Sequence, residues 1–75
     1  MKPEDERILT AFAKRLFSTR LHRLDHFGRF LSQRKAAQLF NVDSSTYANW
    51  ERARHFPDER AKQKIAEVWP EVFQD

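Results

Sequence analysis

With 75 residues and 40% hydrophobic side chains, the chain has material for one small core and no more. It contains no cysteine, which excludes disulfides, thiolate metal sites and thiol catalysis, and its single glycine excludes a Gly-rich phosphate loop. The net charge of +3 is unevenly spread, because residues 1–40 carry 9 basic and 4 acidic side chains while residues 41–75 carry 5 and 7. Between Lys14 and Lys35 seven basic residues meet one acid, Asp25. Such a stretch suits a polyanion, of which nucleic acid is the commonest, although a solvated basic helix face has the same composition. No apolar run approaches the roughly 18 residues of a membrane span, and Met-Lys-Pro-Glu-Asp-Glu at the start is unlike a signal peptide. The expectation is a cytoplasmic chain with no membrane partner.

Helical periodicity dominates the sequence. Ile8, Leu9, Phe12, Leu16, Phe17, Leu21 and Leu24 recur at about 3.6 residues per turn and read as the inner face of a first helix. Pro3 and the acids Glu4, Asp5 and Glu6 suit its N-terminus, and Gly28 is a natural stop, so this helix is expected over about 4–25. Ser32 reads as the N-cap of a short second helix over about 33–40, with Ala36, Ala37 and Phe40 as its inner stripe and Asn41 at its end. Asp43 or Ser44 caps a third helix over about 44–54, which carries Tyr47 and Trp50 on one face. Pro57 marks a break, Asp58 caps a fourth helix over about 59–68, and Ala61, Ile65, Val68 and Trp69 form its stripe. Pro70–Phe73 adds a short helical turn, and no alternating β-branched run predicts a strand. The expected fold is therefore all-α and compact, with four helices plus a fifth turn.

The second and third helices are the informative part. They are joined by about three residues, Asn41-Val42-Asp43, and two helices joined so tightly cross at a large angle. Small Ala36 and Ala37 allow close approach, Val42 plugs the angle, and Phe40, Tyr47 and Trp50 complete the core of a helix-turn-helix template. The segment from Ser32-Gln33, through Ala37, Val42 and Trp50-Glu51, to Pro57 resembles the Cro/C1-type (XRE family, lambda-repressor-like) helix-turn-helix domain. Lys64-Ile65-Ala66-Glu67-Val68 is similar to that family's fourth helix, and the likeness covers about 32–69. Three departures stand out. Asn41 replaces the usual turn glycine, Ala53 replaces a second glycine two residues after the glutamate, and the connection over about 25–31 is longer than usual. At Ala53 a retained left-handed cap would cost about 1 kcal/mol, so the third helix is expected to run on towards Arg54.

The resemblance implies a sequence-specific double-stranded DNA-binding transcriptional regulator, a repressor on a palindromic operator, working as a homodimer, and the length of 75 residues leaves no further domain expected within 1–75. In that geometry Ser44, Ser45, Ala48, Asn49 and Arg52 face base edges in the major groove. Gln33, Arg34, Lys35, Thr46, Arg54 and Arg29 are the candidate phosphate contacts. The resemblance further implies that Glu51 pairs with an arginine of the first helix, Arg20 or Arg23. Each residue also has a plainer reading: Ser45 and Asn49 as solvated helix positions, Arg29 and Arg54 lying over apolar surface. His22 and His26 share an i, i+4 spacing but have no third ligand in sight, and Asp58-Glu59 is explained by capping. Neither Ser18, Ser44 nor Ser45 sits in a nucleophile motif, so no enzyme activity, cofactor, metal or small-molecule substrate is expected. Trp69, Val72 and Phe73 either close the core or lend part of a dimer surface. A phage-type regulator and an autoregulatory antitoxin, each with a possible protein partner, both fit the DNA-binding reading, and the rival functions are a helix-turn-helix-fold module that binds protein instead and an excisionase-like factor that bends DNA.

Overall fold

The first helix, α1 (Pro3–Leu21), spans most of the N-terminal third of the chain, and three shorter helices follow it: α2 (Gln33–Leu39), α3 (Ser44–Glu51) and α4 (Glu59–Val68). A 3₁₀ turn over Pro70–Phe73 closes the chain. The computed structural model describes residues 3–24 and 27–73, with residues 3–5 as backbone only. Among the described residues there is no strand, and the only sheet-like pairing is an isolated antiparallel bridge between Leu24 and Phe30. The all-α expectation holds, as do the positions of the four helices.

α1 is shorter than the periodicity suggested, and its inner face is rotated. The buried side chains are Leu9, Phe12, Ala13, Leu16 and Thr19. Ile8, Phe17 and Leu21, expected on that face, are exposed on its flanks, and Leu24 lies beyond the helix end with 61% of its surface exposed. The cause is the size of Ala13 and Thr19. Small side chains let the neighbouring elements approach closely along their line, and this line, rather than the one with the most carbon, faces inward. α1 packs there against α3 and the 3₁₀ turn.

The remaining helices are set by their ends. Ser32 Oγ accepts from the Lys35 amide at 3.1 Å, and Asp58 Oδ1 accepts from the Ala61 amide at 2.8 Å, so both expected caps are formed. Asp43 holds the N-cap position of α3 but makes no side-chain capping bond. At its C-terminus α2 closes in a Schellman motif: Asn41 N–H donates to the Gln38 carbonyl at 3.2 Å and Val42 N–H to the Ala37 carbonyl at 3.0 Å. Asn41 takes φ 57°, the left-handed value this motif needs.

α3 ends in the same way, contrary to the expected run towards Arg54. Ala53 N–H donates to Trp50 at 3.2 Å and Arg54 N–H to Asn49 at 3.0 Å, with Ala53 at φ 60°. The motif keeps both of these carbonyls paired, as a continuing helix would, and Ala53 carries roughly 1 kcal/mol of left-handed strain. After this stop the chain passes through buried Pro57 into α4, which packs against the 3₁₀ turn.

The core joins Phe12 and Leu16 of α1, Ala36 and Ala37 of α2, Tyr47 and Trp50 of α3, Ala61 and Ile65 of α4, and Trp69 and Val72. Phe40 stands at the centre. Its ring meets Trp69 edge-on at 4.9 Å and stacks on Tyr47 at 6.2 Å. Val42 is half-buried against the cluster, as the wedge in the α2–α3 angle. Trp69 and Val72 therefore close the core, while Phe73 stays partly exposed and stacks on Phe12 at 5.7 Å.

Candidate functional site

The α2–α3 pair is held by one buried ionic knot. Arg20, in the last turn of α1, donates from Nε to Glu51 Oε2 at 2.6 Å and from Nη2 to Glu51 Oε1 at 3.0 Å. Its third nitrogen, Nη1, reaches the Leu31 carbonyl at 3.0 Å. Gln33, the first residue of α2, donates its amide N–H to Glu51 Oε1 at 3.0 Å. Three segments thus meet on one carboxylate, α1, α2 and α3, and Arg20 ties the connection before α2 to them through Leu31. Arginine suits this place because its planar fork satisfies a carboxylate with two bonds and still has a donor to spare. Of the two arginines the resemblance pointed to, Arg20 makes the pair, whereas Arg23 bridges to Glu71 at the surface.

The electrostatics follow from burial. The Glu51 side chain is 4% exposed and that of Arg20 12%. Burial by itself would raise the Glu51 carboxyl, but the hydrogen bonds from Arg20 and Gln33 and the Arg20 charge outweigh it and hold the group below its ordinary value. Beside the pair lies Tyr47, whose hydroxyl is buried without a well-formed hydrogen bond. Burial, and then the neighbouring negative charge, push that phenol far up, so it stays neutral.

The knot leaves the opposite side of α3 uncovered. Ser44, Ser45, Ala48, Asn49 and Arg52 recur along one face, turned away from Tyr47 and Trp50. Ser44, Ser45 and Arg52 are exposed, and Ala48 and Asn49 are half-buried. The face is polar and carries one positive charge at its C-terminal end. Because Gln33 meets Glu51, the first turn of α2 adjoins the last turn of α3, which places Arg34 and Lys35 near the same junction as Arg52 and Arg54. Arg34 and Arg54 are exposed, and the Lys35 ammonium lies over the Phe27 ring, 5.7 Å from its centroid. Arg29 is exposed in the connection before α2. Thr46 lies on the side of α3 that faces α4, and Asn49 borders that side too. Thr46 lines, with Asn49, His55, Lys64 and Glu67, an open cleft of about 950 Å³ between α3 and α4.

Two features escaped the sequence reading. One is the structural use of Gln33, whose side chain is committed to Glu51. The other is the exposure of Phe27 and Phe30, which the flanking Gly28 and Arg29 could have signalled as a projecting loop. His22 Nδ1 hydrogen-bonds the Ser18 carbonyl at 2.7 Å, and His26 lies outside the described residues. Among the described residues no group of three metal-ligating side chains converges, and no helix is long and apolar enough to cross a membrane. In comparisons with known proteins, no family model matches the chain, and neither a curated protein nor a solved structure matches it.

Proposed function

We propose that this chain is a lambda-repressor-like, Cro/C1-type helix-turn-helix protein that binds specific double-stranded DNA through the major groove and represses transcription. The observation that carries the reading is the polar face of α3, held outward on two helices that a buried Arg20–Glu51 pair locks together. An α-helix of about 10–12 Å diameter fills a major groove about 12 Å wide, so a face of short side chains brings the backbone close to base edges. The Ser44 and Ser45 hydroxyls donate or accept, Asn49 pairs with adenine in bidentate fashion, Ala48 meets a thymine methyl, and Arg52 reads guanine. Arg34, Lys35, Arg54 and Arg29 flank that face and hold phosphates, with Thr46 at its edge, while the Gln33 side chain, expected on phosphate, stays on Glu51. The Arg20–Glu51 pair serves as the orienting brace and does not itself touch the duplex, since a buried carboxylate facing phosphate would be repelled. Two copies related by a two-fold axis read a palindrome with half-sites about one DNA turn apart.

Selection of bound sequences from random duplex DNA tests this reading. The expected outcome is an enriched site with inverted symmetry. Replacing Asn49 by alanine then relaxes preference at one base position and costs about 1–3 kcal/mol on the enriched site. A library that emerges unenriched, with no binding at low salt, rejects the proposal.

A further inference from the structure

α3 and α4 both send side chains into the core, but they rest on different neighbours. α3 packs on α1 and α2, and α4 packs on the 3₁₀ turn. The chain joins them past the left-handed stop at Ala53 and buried Pro57. What remains between them is the open cleft of about 950 Å³, within the roughly 300–1,000 Å³ of small-molecule sites. Phe40, Trp50 and Phe56 contribute rings to its lining, and Val42 and small Ala61 complete the apolar part. Thr46 and Asn49 give the α3 wall neutral hydrogen-bonding groups. The α4 wall carries Arg60, Lys64 and Glu67 at i, i+4 and i+7, with His55 on the connection before it. None of these four takes part in an ion pair or a side-chain hydrogen bond among the described residues. Asp58, the other acid of the lining, already accepts the Ala61 amide. Two permanent cations and an imidazole therefore share the cleft with one uncommitted carboxylate.

We propose that this cleft binds a small aromatic carboxylate, its ring against Trp50 and Phe56 and its anionic group on Arg60 and Lys64, and that occupancy weakens DNA binding. The site rests on the cleft itself, and its effect on DNA rests on the reading above. A planar ring matches the aromatic lining, and a carboxylate accepts from a guanidinium and an ammonium together. A DNA phosphate answers the cations but leaves the rings uncovered. A second copy seated there on a two-fold axis brings Arg60 and Lys64 up to their own images. Thr46 and Asn49 connect the cleft to the groove-facing side of α3. A ligand that engages the Asn49 amide withdraws it from adenine, and a negative charge beside α3 repels phosphate. Both effects release the duplex.

The test uses the full chain and 1-naphthoate as the probe, with 1-naphthalenemethanol as its neutral counterpart. Binding is read from amide chemical shifts. Naphthoate is expected to give saturable shifts centred on Thr46, Asn49, His55 and Lys64, and the neutral alcohol to bind about tenfold more weakly or less. The double variant Arg60→Gln/Lys64→Gln, changed only at exposed positions, is expected to keep its helical circular dichroism and to lose about tenfold or more in naphthoate affinity. Saturating naphthoate is expected to weaken binding of the enriched duplex about tenfold, and the duplex to weaken naphthoate by the same factor. No saturable shift up to about 10 mM, shifts centred elsewhere, or an alcohol that binds equally overturns the site. A double variant that loses affinity for every duplex in the absence of naphthoate makes the α4 wall a phosphate contact and overturns it too. Naphthoate bound in the cleft with duplex affinity unchanged overturns the regulation. A parent that takes naphthoate there but ignores every duplex upholds the site and rejects the DNA reading.

Discussion

Replacing Arg20 by alanine removes both bonds to Glu51 and the bond to the Leu31 carbonyl, while leaving Glu51 in a site where its side chain is 4% exposed. The Gln33 amide still donates to that carboxylate, with the Tyr47 hydroxyl beside it. At a charge separation of about 4 Å and an effective dielectric of about 20, the lost attraction is about 4 kcal/mol, and the desolvation of Glu51 goes uncompensated. Breaking one side of a buried pair costs about 3–5 kcal/mol on this basis. A 75-residue domain has roughly 4–11 kcal/mol in total, so the variant sits near the edge of folding. Urea unfolding followed by tryptophan fluorescence is a suitable assay, because Trp50 and Trp69 are 3% and 2% exposed. With a slope of about 1 kcal/mol/M for a small domain, the midpoint is expected to fall by about 3 M or to vanish. The companion variant Arg20→Met/Glu51→Leu replaces the charges with packed carbon and is expected to lie within about 2 kcal/mol of the parent. An Arg20→Ala protein within about 1 kcal/mol of the parent, or a double variant no more stable than the single one, refutes the buried-pair reasoning.

Ala53→Gly relieves the left-handed strain at φ 60° and is expected to raise the unfolding midpoint by about 0.5–1 kcal/mol equivalents, an unchanged or lower midpoint counting against strain at that residue. Asp58→Ala removes a 2.8 Å capping bond and is expected to cost about 1 kcal/mol, while Asp43→Ala, with no capping bond to lose, costs less; equal losses would contradict the distinction. Because the folded Glu51 carboxyl lies below its ordinary 4.5, its contribution is complete above that pH and is lost as pH falls through the lower folded value. Stability is accordingly expected to drop below about pH 4.5, with a shallower fall in Glu51→Gln, and identical acid slopes would exclude Glu51 as the source.

The helix ends were legible because their chemistry is local. Ser32 and Asp58 cap where a hydroxyl or carboxylate precedes a helical stripe, and Asn41 turns left-handed where the chain must reverse. The inner face of α1 was not, because a reading weighted by large apolar side chains favours Phe17 and Leu21 over Ala13 and Thr19, and close packing chose the small pair. Ala53 misled for a related reason. Alanine is the strongest helix former, yet Ala53 turns left-handed, and the Asn49 and Trp50 carbonyls that a continuing helix would have paired with Ala53 and Arg54 are paired by the same two amides in exchanged order. The polar face of α3 was readable as the complement of Tyr47 and Trp50 on a period of 3.6 residues. Gln33 was assigned to phosphate from its position, and its amide turned inward to Glu51, a contact between residues 18 apart that local pattern does not encode.

The measurement that bears most directly on the account is an amide chemical-shift map of the chain titrated with the enriched duplex at low and then moderate salt. The account predicts the largest shifts at Ser44, Ser45, Ala48, Asn49 and Arg52, with Gln33, Arg34 and Lys35 next and α4 little changed. Shifts confined to the α3–α4 cleft around His55 and Lys64, or no shift with any duplex, would contradict it.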